Sequence, residues 1–189
     1  NDTMPAARVQ ELRLEMERAD AQRLQPHHIQ SFFVEAFQHL VEVGKIRYWG
    51  VSNFDHRALA DLQDVPGSSG LATDQVLYNL SRRGPEYDLL PWCADHQLPV
   101  MAYSPIEQGR ILHDTTLNDV AARHSVSPAA AALAWVLRRD SLCTIPKASS
   151  PQHVRDNATA LDVELTREDL DALDRAFPPP SGPRPLEML

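Results

Sequence analysis

Apolar residues recur at three- and four-residue steps through Val9, Leu12, Met16 and Ala19, a spacing that predicts an amphipathic helix over 5–24. Thr3 or Asp2 can cap it and Pro5 suits its first turn. Pro26 predicts its end, and the polar run around His27-His28 then reads as a solvated linker, because adjacent side chains diverge on a helix or strand and cannot share a metal ion. From Phe32 the pattern changes to amphipathic helices alternating with short β-rich runs. Phe33, Val34, Phe37, Leu40 and Val41 predict one helical face closed by Gly44, and strands are expected over 46–51, 73–77, 99–103 and 142–145. Between them the spacing predicts helices over 55–63, 85–96, 117–124 and 128–138; two more open at Ser150-Pro151 and at Thr166, which with Asp169 resembles a capping box. The proline-rich stretch from Phe177 to Pro185 should be irregular.

No strand is followed by a tight hairpin, so successive strands require helical crossovers and parallel pairing. A doubly wound sheet and a (β/α) barrel both satisfy this. Polar clusters directly follow each strand, at Ser52-Asn53, Tyr78-Asn79, Tyr103-Ser104 and Lys147-Ala148-Ser149. Four such clusters at four strand ends favour one shared site at one face of a barrel.

Composition narrows the function classes. Among 189 residues, 18 Lys and Arg stand against 26 Asp and Glu, a formal charge of -8 that argues against nucleic acid as a partner and makes any phosphate site local. No apolar run reaches the roughly 20 residues a membrane helix needs, and no apolar secretory core is present. Cys93 and Cys143 lie far apart without metal-ligand spacing; a reducing, cytoplasmic location and no metal site are the expectation.

The segments GKIRYWGVSNF (44–54), DQVLYN (74–79), LLPWC (89–93), VMAYSPI (100–106) and TIPKASS (144–150) follow one another in order, with Asp156-Asn157 and the ending LTREDLDALDRAFPPP after them. Together, over about residues 33–186, they resemble the aldo-keto reductase family, most closely the second half of a bacterial member. The resemblance implies an α/β fold of the (β/α)8 TIM-barrel type, present here as its last four β/α units in 32–189, with 1–31 as an N-terminal helical extension or linker. It implies an NADPH-dependent oxidoreductase acting on a small aldehyde or ketone.

By the same resemblance Ser52, Asn53 and Gln75 match the positions that hydrogen-bond the nicotinamide carboxamide, which needs both donors and acceptors. Tyr103 matches the aromatic residue under the nicotinamide ring. Ser104 and the loop through Gln108 and Gly109 match the segment covering the pyrophosphate. Lys147 and Ser149 fall where the family meets the adenosine 2'-phosphate, and Asp156 and Asn157 where it meets adenine. His153 stands where some relatives carry arginine, which puts strict NADP preference in doubt. Taken singly, each residue has a plainer reading, as a turn former, a core aromatic or a solvated lysine.

The family's proton-transfer group, a Tyr supported by Lys, Asp and His, belongs to the first half of the barrel, and no residue here is assigned a catalytic role. The first tyrosine, Tyr48, is expected inside a strand. A full barrel takes ~250 residues, so the chain is expected to be a truncated reductase, inactive alone. The alternative is a non-catalytic NADP(H)-binding or assembly module. A third reading, an unrelated half-barrel binding another phosphate ligand, would make Lys147 and Tyr103 accidental. Four strands cannot close, so a homodimer through the open barrel edges is a further expectation.

Overall fold

The computed structural model describes residues 26–189; the helix expected over 5–24 lies outside them. The described residues divide into two compact units, one of 26–49 with Arg57–Leu71, the other of Gly50–His56 with Ala72–Leu189.

In the first unit, helix α1 (Pro26–Glu42) contains His27 and His28, which corrects the expected linker. Pro26 stands in the first turn of this helix, where a residue needs no N–H partner. Of the predicted apolar face Val34 is buried, whereas Phe33, Leu40 and Val41 are exposed. Gly44 turns the chain with φ +69°, and the amides of Lys45 and Ile46 both bond the Leu40 carbonyl, at 2.9 and 3.3 Å. These bonds keep 43–46 on the helix end. Strand β1 (Trp49–Ser52) therefore starts later than Ile46, and Tyr48, expected inside it, precedes it with 76% of its surface exposed. Trp49 is buried against Phe37, ring centroids 5.4 Å apart. Helix α2 (His56–Gln63) buries Leu59 and Leu62. Gly67 has φ +90°, and a Cβ there would overlap the Gln38 carboxamide, whose Nε2 donates to the Gly67 carbonyl at 3.1 Å.

The second unit carries most of a four-stranded sheet in the order β1, β2 (Leu71–Leu77), β3 (Val100–Tyr103), β4 (Leu142–Thr144). β2 and β3 pair in parallel with Leu77 opposite Tyr103, and β3 and β4 in parallel with Ala102 opposite Thr144. The helix expected over 85–96 is broken. A 3-10 turn (Gly84–Glu86) precedes α3 (Leu89–Asp95), because Asp88 leaves helical geometry at φ -134° and caps α3 through its side chain.

Helices α4 (Thr115–Arg123), α5 (Pro128–Leu137), α6 (Pro151–Ala158) and α7 (Arg167–Ala176) each follow a capping Asp, Ser or Thr. Thr166 and Asp169 form the capping box that their spacing predicts. α5 is buried continuously from Ala130 to Val136, which explains a segment apolar on every side. Its Trp135 lies beside Tyr78, with the Arg138 and Arg83 guanidinium carbons 3.8 and 5.0 Å from the indole centroid. Both arginines also bond the buried Glu86, so the cations over the indole have a carboxylate partner. Among the described residues no helix is long and apolar enough to cross a membrane.

Candidate functional site

The site starts where β1 ends. Asn53 adopts φ +59°, a left-handed conformation that Asn tolerates better than most residues. Its backbone N–H and the Ser52 hydroxyl both donate to the Gln75 carbonyl, each at 2.9 Å. Two residues of the β1 exit thus hang on one acceptor of β2. From β3 the Tyr103 hydroxyl donates to the Asn53 Oδ1 at 3.4 Å. The Gln75 Nε2 rests 3.0 Å from the Met101 thioether, a weak acceptor that a ligand carbonyl would readily replace. Ser52, Asn53, Gln75 and Tyr103 are therefore gathered at one end of three neighbouring strands.

Beyond Tyr103 the backbone turns through positive φ at Ser104, Glu107, Gln108 and Gly109. The Ser104 Oγ is buried with no partner among the described residues. The loop is held from below: Asn79 donates its amide to the Ser104 carbonyl and to the Glu107 carboxylate, both at 2.9 Å. Arg82 forks onto the same carboxylate at 3.1 and 2.9 Å. Burial alone would raise the Glu107 pKa, but Arg82, Asn79 and Arg110 outweigh it and hold the group below the usual range. Gln108, exposed, accepts from Arg110 at 2.8 Å.

The third group follows β4, the strand paired with β3. The Ile145 amide still bonds the Ala102 carbonyl at 3.3 Å, so the segment leading to Lys147 leaves the sheet beside Tyr103. Lys147 and Ser149 are exposed. Ser150 caps α6 by accepting from the His153 amide, and the Ser149 hydroxyl lies 3.4 Å from His153 Nδ1. On α6 the Asp156 carboxylate accepts from Gln152 at 2.7 Å, and Asn157 is half-buried one residue on. Arg155 adds a cation to this helix.

Sequence reasoning passed over Arg82, Glu107 and Arg110, the braces of the loop, and Asp74, a fully buried carboxyl in β2. Glu107 lies 25 residues from Arg82, so spacing carried no signal. Asp74 stands between Thr73 and Gln75 in β2, so its polar neighbours gave no sign of its burial.

Four tyrosines are present. Tyr103 belongs to the cluster; Tyr78 is buried with its hydroxyl 2.6 Å from Glu86, and burial drives its pKa up. Tyr87 and Tyr48 are exposed, and Tyr48 precedes the strand that Ser52 ends. Among the described residues no group of three or more His, Cys, Asp or Glu could hold a metal ion.

Residues 23–177 match the sequence profile of the Aldo/keto reductase family. Methylglyoxal reductase YeaE of Escherichia coli (strain K12) is 47% identical over 161 residues, 82% of this chain and 57% of that protein. Glyoxal reductase of Bacillus subtilis (strain 168) is 32% identical over 155 residues, 82% of this chain and 55% of that protein. Among solved structures, an aldo/keto reductase from Klebsiella pneumoniae in complex with NADP and acetate superposes with a TM-score of 0.82 at 45% identity, covering 85% of this chain and 58% of that one. The chain thus spans little more than half the length of these relatives.

Proposed function

Because this chain belongs to the aldo/keto reductase family, we propose that it forms the nucleotide-holding side of an NADP(H)-dependent carbonyl reductase. The observation that carries the reading is the convergence of Ser52, Asn53, Gln75 and Tyr103 on one strand end, with Lys147 leaving the adjacent strand. The donor set fits the group. Ser52, Asn53 and Gln75 offer donors and acceptors to a carboxamide, Tyr103 a flat face to its ring, and the loop from Ser104 through Gln108 and Gly109 a cover for the pyrophosphate. Lys147 and Ser149, just ahead of the α6 N-terminus, would take the 2'-phosphate, and Asp156 and Asn157 the adenine. When bound, the reduced nicotinamide supplies hydride to a carbonyl carbon.

A small aldehyde or ketone is the substrate class we infer, in keeping with relatives named for methylglyoxal and glyoxal. The oxygen of the reduced carbonyl also needs a proton. Of the four tyrosines, Tyr103 is committed to Asn53, Tyr78 to Glu86, Tyr48 lies at the wrong end of β1 and Tyr87 is exposed between the 3-10 turn and α3. General acid assistance is worth roughly 100 to 10,000-fold, so we infer that these 189 residues alone bind nucleotide but reduce carbonyls far more slowly than their relatives. The same placement of tyrosines supports a second reading, a non-catalytic NADP(H)-binding module. We extend the reading to assembly: β1 and β4 flank the sheet, and a second copy pairing edge to edge is the partner we infer.

Titrating the chain with NADPH and NADH tests the cofactor assignment. Lys147→Met should weaken NADPH by at least about tenfold more than NADH, since only NADPH carries the extra phosphate; equal losses overturn it. Aldehyde-dependent oxidation of the bound NADPH follows in the same cuvette. Turnover at a rate typical of the family, abolished by one Tyr→Phe change in this chain, would show that the acid lies among these residues.

A further inference from the structure

Asp74 has no exposed surface, and its two oxygens are unequally served. Oδ1 accepts the Phe54 backbone N–H at 3.5 Å, the long end of the hydrogen-bond range, while Oδ2 is buried with no partner among the described residues. Strand alternation puts the Asp74 side chain on the opposite face of β2 from Gln75. Phe54 directly follows Asn53, whose amide hangs on the Gln75 carbonyl. Two consecutive residues of β2 therefore grip the same turn, Gln75 at its first half and Asp74 at its second.

We propose that Asp74 is a positioning residue for Asn53, and that it holds the Asn53–Phe54 turn more firmly as a carboxylate than as a carboxylic acid. The link to nucleotide binding rests on the nicotinamide reading of Asn53 given above. A charged acceptor draws its donor closer and bonds it more strongly than a neutral one. Burial lifts the Asp74 pKa to about 7, so both forms are populated near neutral pH. Cys93 on α3 feels the Asp74 charge, and burial pushes its thiol up to about 12, outside this range. Tyr103 is the one titratable side chain in β1 and β3, and His56, two residues beyond Phe54, lies 3.4 Å from Asp88.

The experiment follows the backbone amides of Asn53 and Phe54 by NMR in the 15N-labelled chain from about pH 5.5 to about 8.5, with and without NADH, which lacks the 2'-phosphate and its titration. Both amides should shift with one midpoint near 7, and NADH affinity should rise roughly threefold across the step. Asp74→Asn, which keeps an oxygen acceptor but cannot ionise, should abolish both changes, whereas His56→Gln should retain them. Flat amides in the unaltered chain, or a step that survives Asp74→Asn, overturn the proposal. Should Asp74→Asn fail to fold, loss of the step in His56→Gln overturns it and retention supports it. An amide step without any NADH binding overturns the nicotinamide reading and leaves the coupling of Asp74 to the turn established.

Discussion

Asp169 shows how much one carboxylate can organise. It is buried, completes the capping box with Thr166, and accepts from His124 at 2.8 Å and from Arg123 at 2.6 Å. Burial alone would raise its pKa, but the His124, Thr166 and Arg123 hydrogen bonds hold it far below the usual carboxylate range. A depressed folded-state pKa means the native state binds fewer protons than the unfolded chain in acid. Its contribution is therefore complete above the ordinary carboxylate range and lost as pH falls through and below it. Asp169→Ala should cost roughly 2–4 kcal/mol at neutral pH by urea unfolding, and should flatten part of the acid limb of stability against pH. The Thr166–Asp169 pair was legible because capping depends on spacing along the chain. Asp74 was not, since an aspartate in a strand acquires its character only when the sheet and α3 close over it. Ser52, Asn53 and Tyr103 lay between these cases: visible as polar residues after strands, but joined only once β1, β2 and β3 align.

Elements whose ends are marked by caps were read closely. Ser127-Pro128 opens α5 and Ser150-Pro151 opens α6, each serine oxygen accepting from the amide three residues on. Ser127→Ala should lower stability by about 1 kcal/mol in thermal or urea unfolding, because it removes the cap without disturbing the buried Ala130–Val136 segment. The misplaced boundaries share a cause. The run 46–51 has strand composition, yet its first residue, Ile46, is held by the Leu40 carbonyl of α1, and the run 85–96 has helical spacing, yet Asp88 prefers capping to continuing. In both, a local hydrogen bond at the end of one element overrode the hydrophobic period of the next.

At the scale of the molecule, the alternation of strands and helices gave the parallel order β1-β2-β3-β4, and the ordered motifs gave the family. The loop braces Arg82 and Glu107 escaped notice because they meet only through the tertiary fold. Edge-to-edge pairing of two copies predicts a light-scattering mass twice the 21.2 kDa of one chain at micromolar concentration; a monomer with cooperative unfolding would rule out that assembly. The tryptophans supply an internal record of such unfolding. Trp49, stacked on Phe37, lies in the first compact unit, while Trp92 under His96 and Trp135 beneath two guanidinium groups lie in the second. Their emission is thus spectroscopically partitioned. Replacing Trp49 by Phe silences one unit and leaves the other reporting, so a single fluorescence trace, recorded before and after that change, distinguishes a chain that melts as one body from one that melts in two steps.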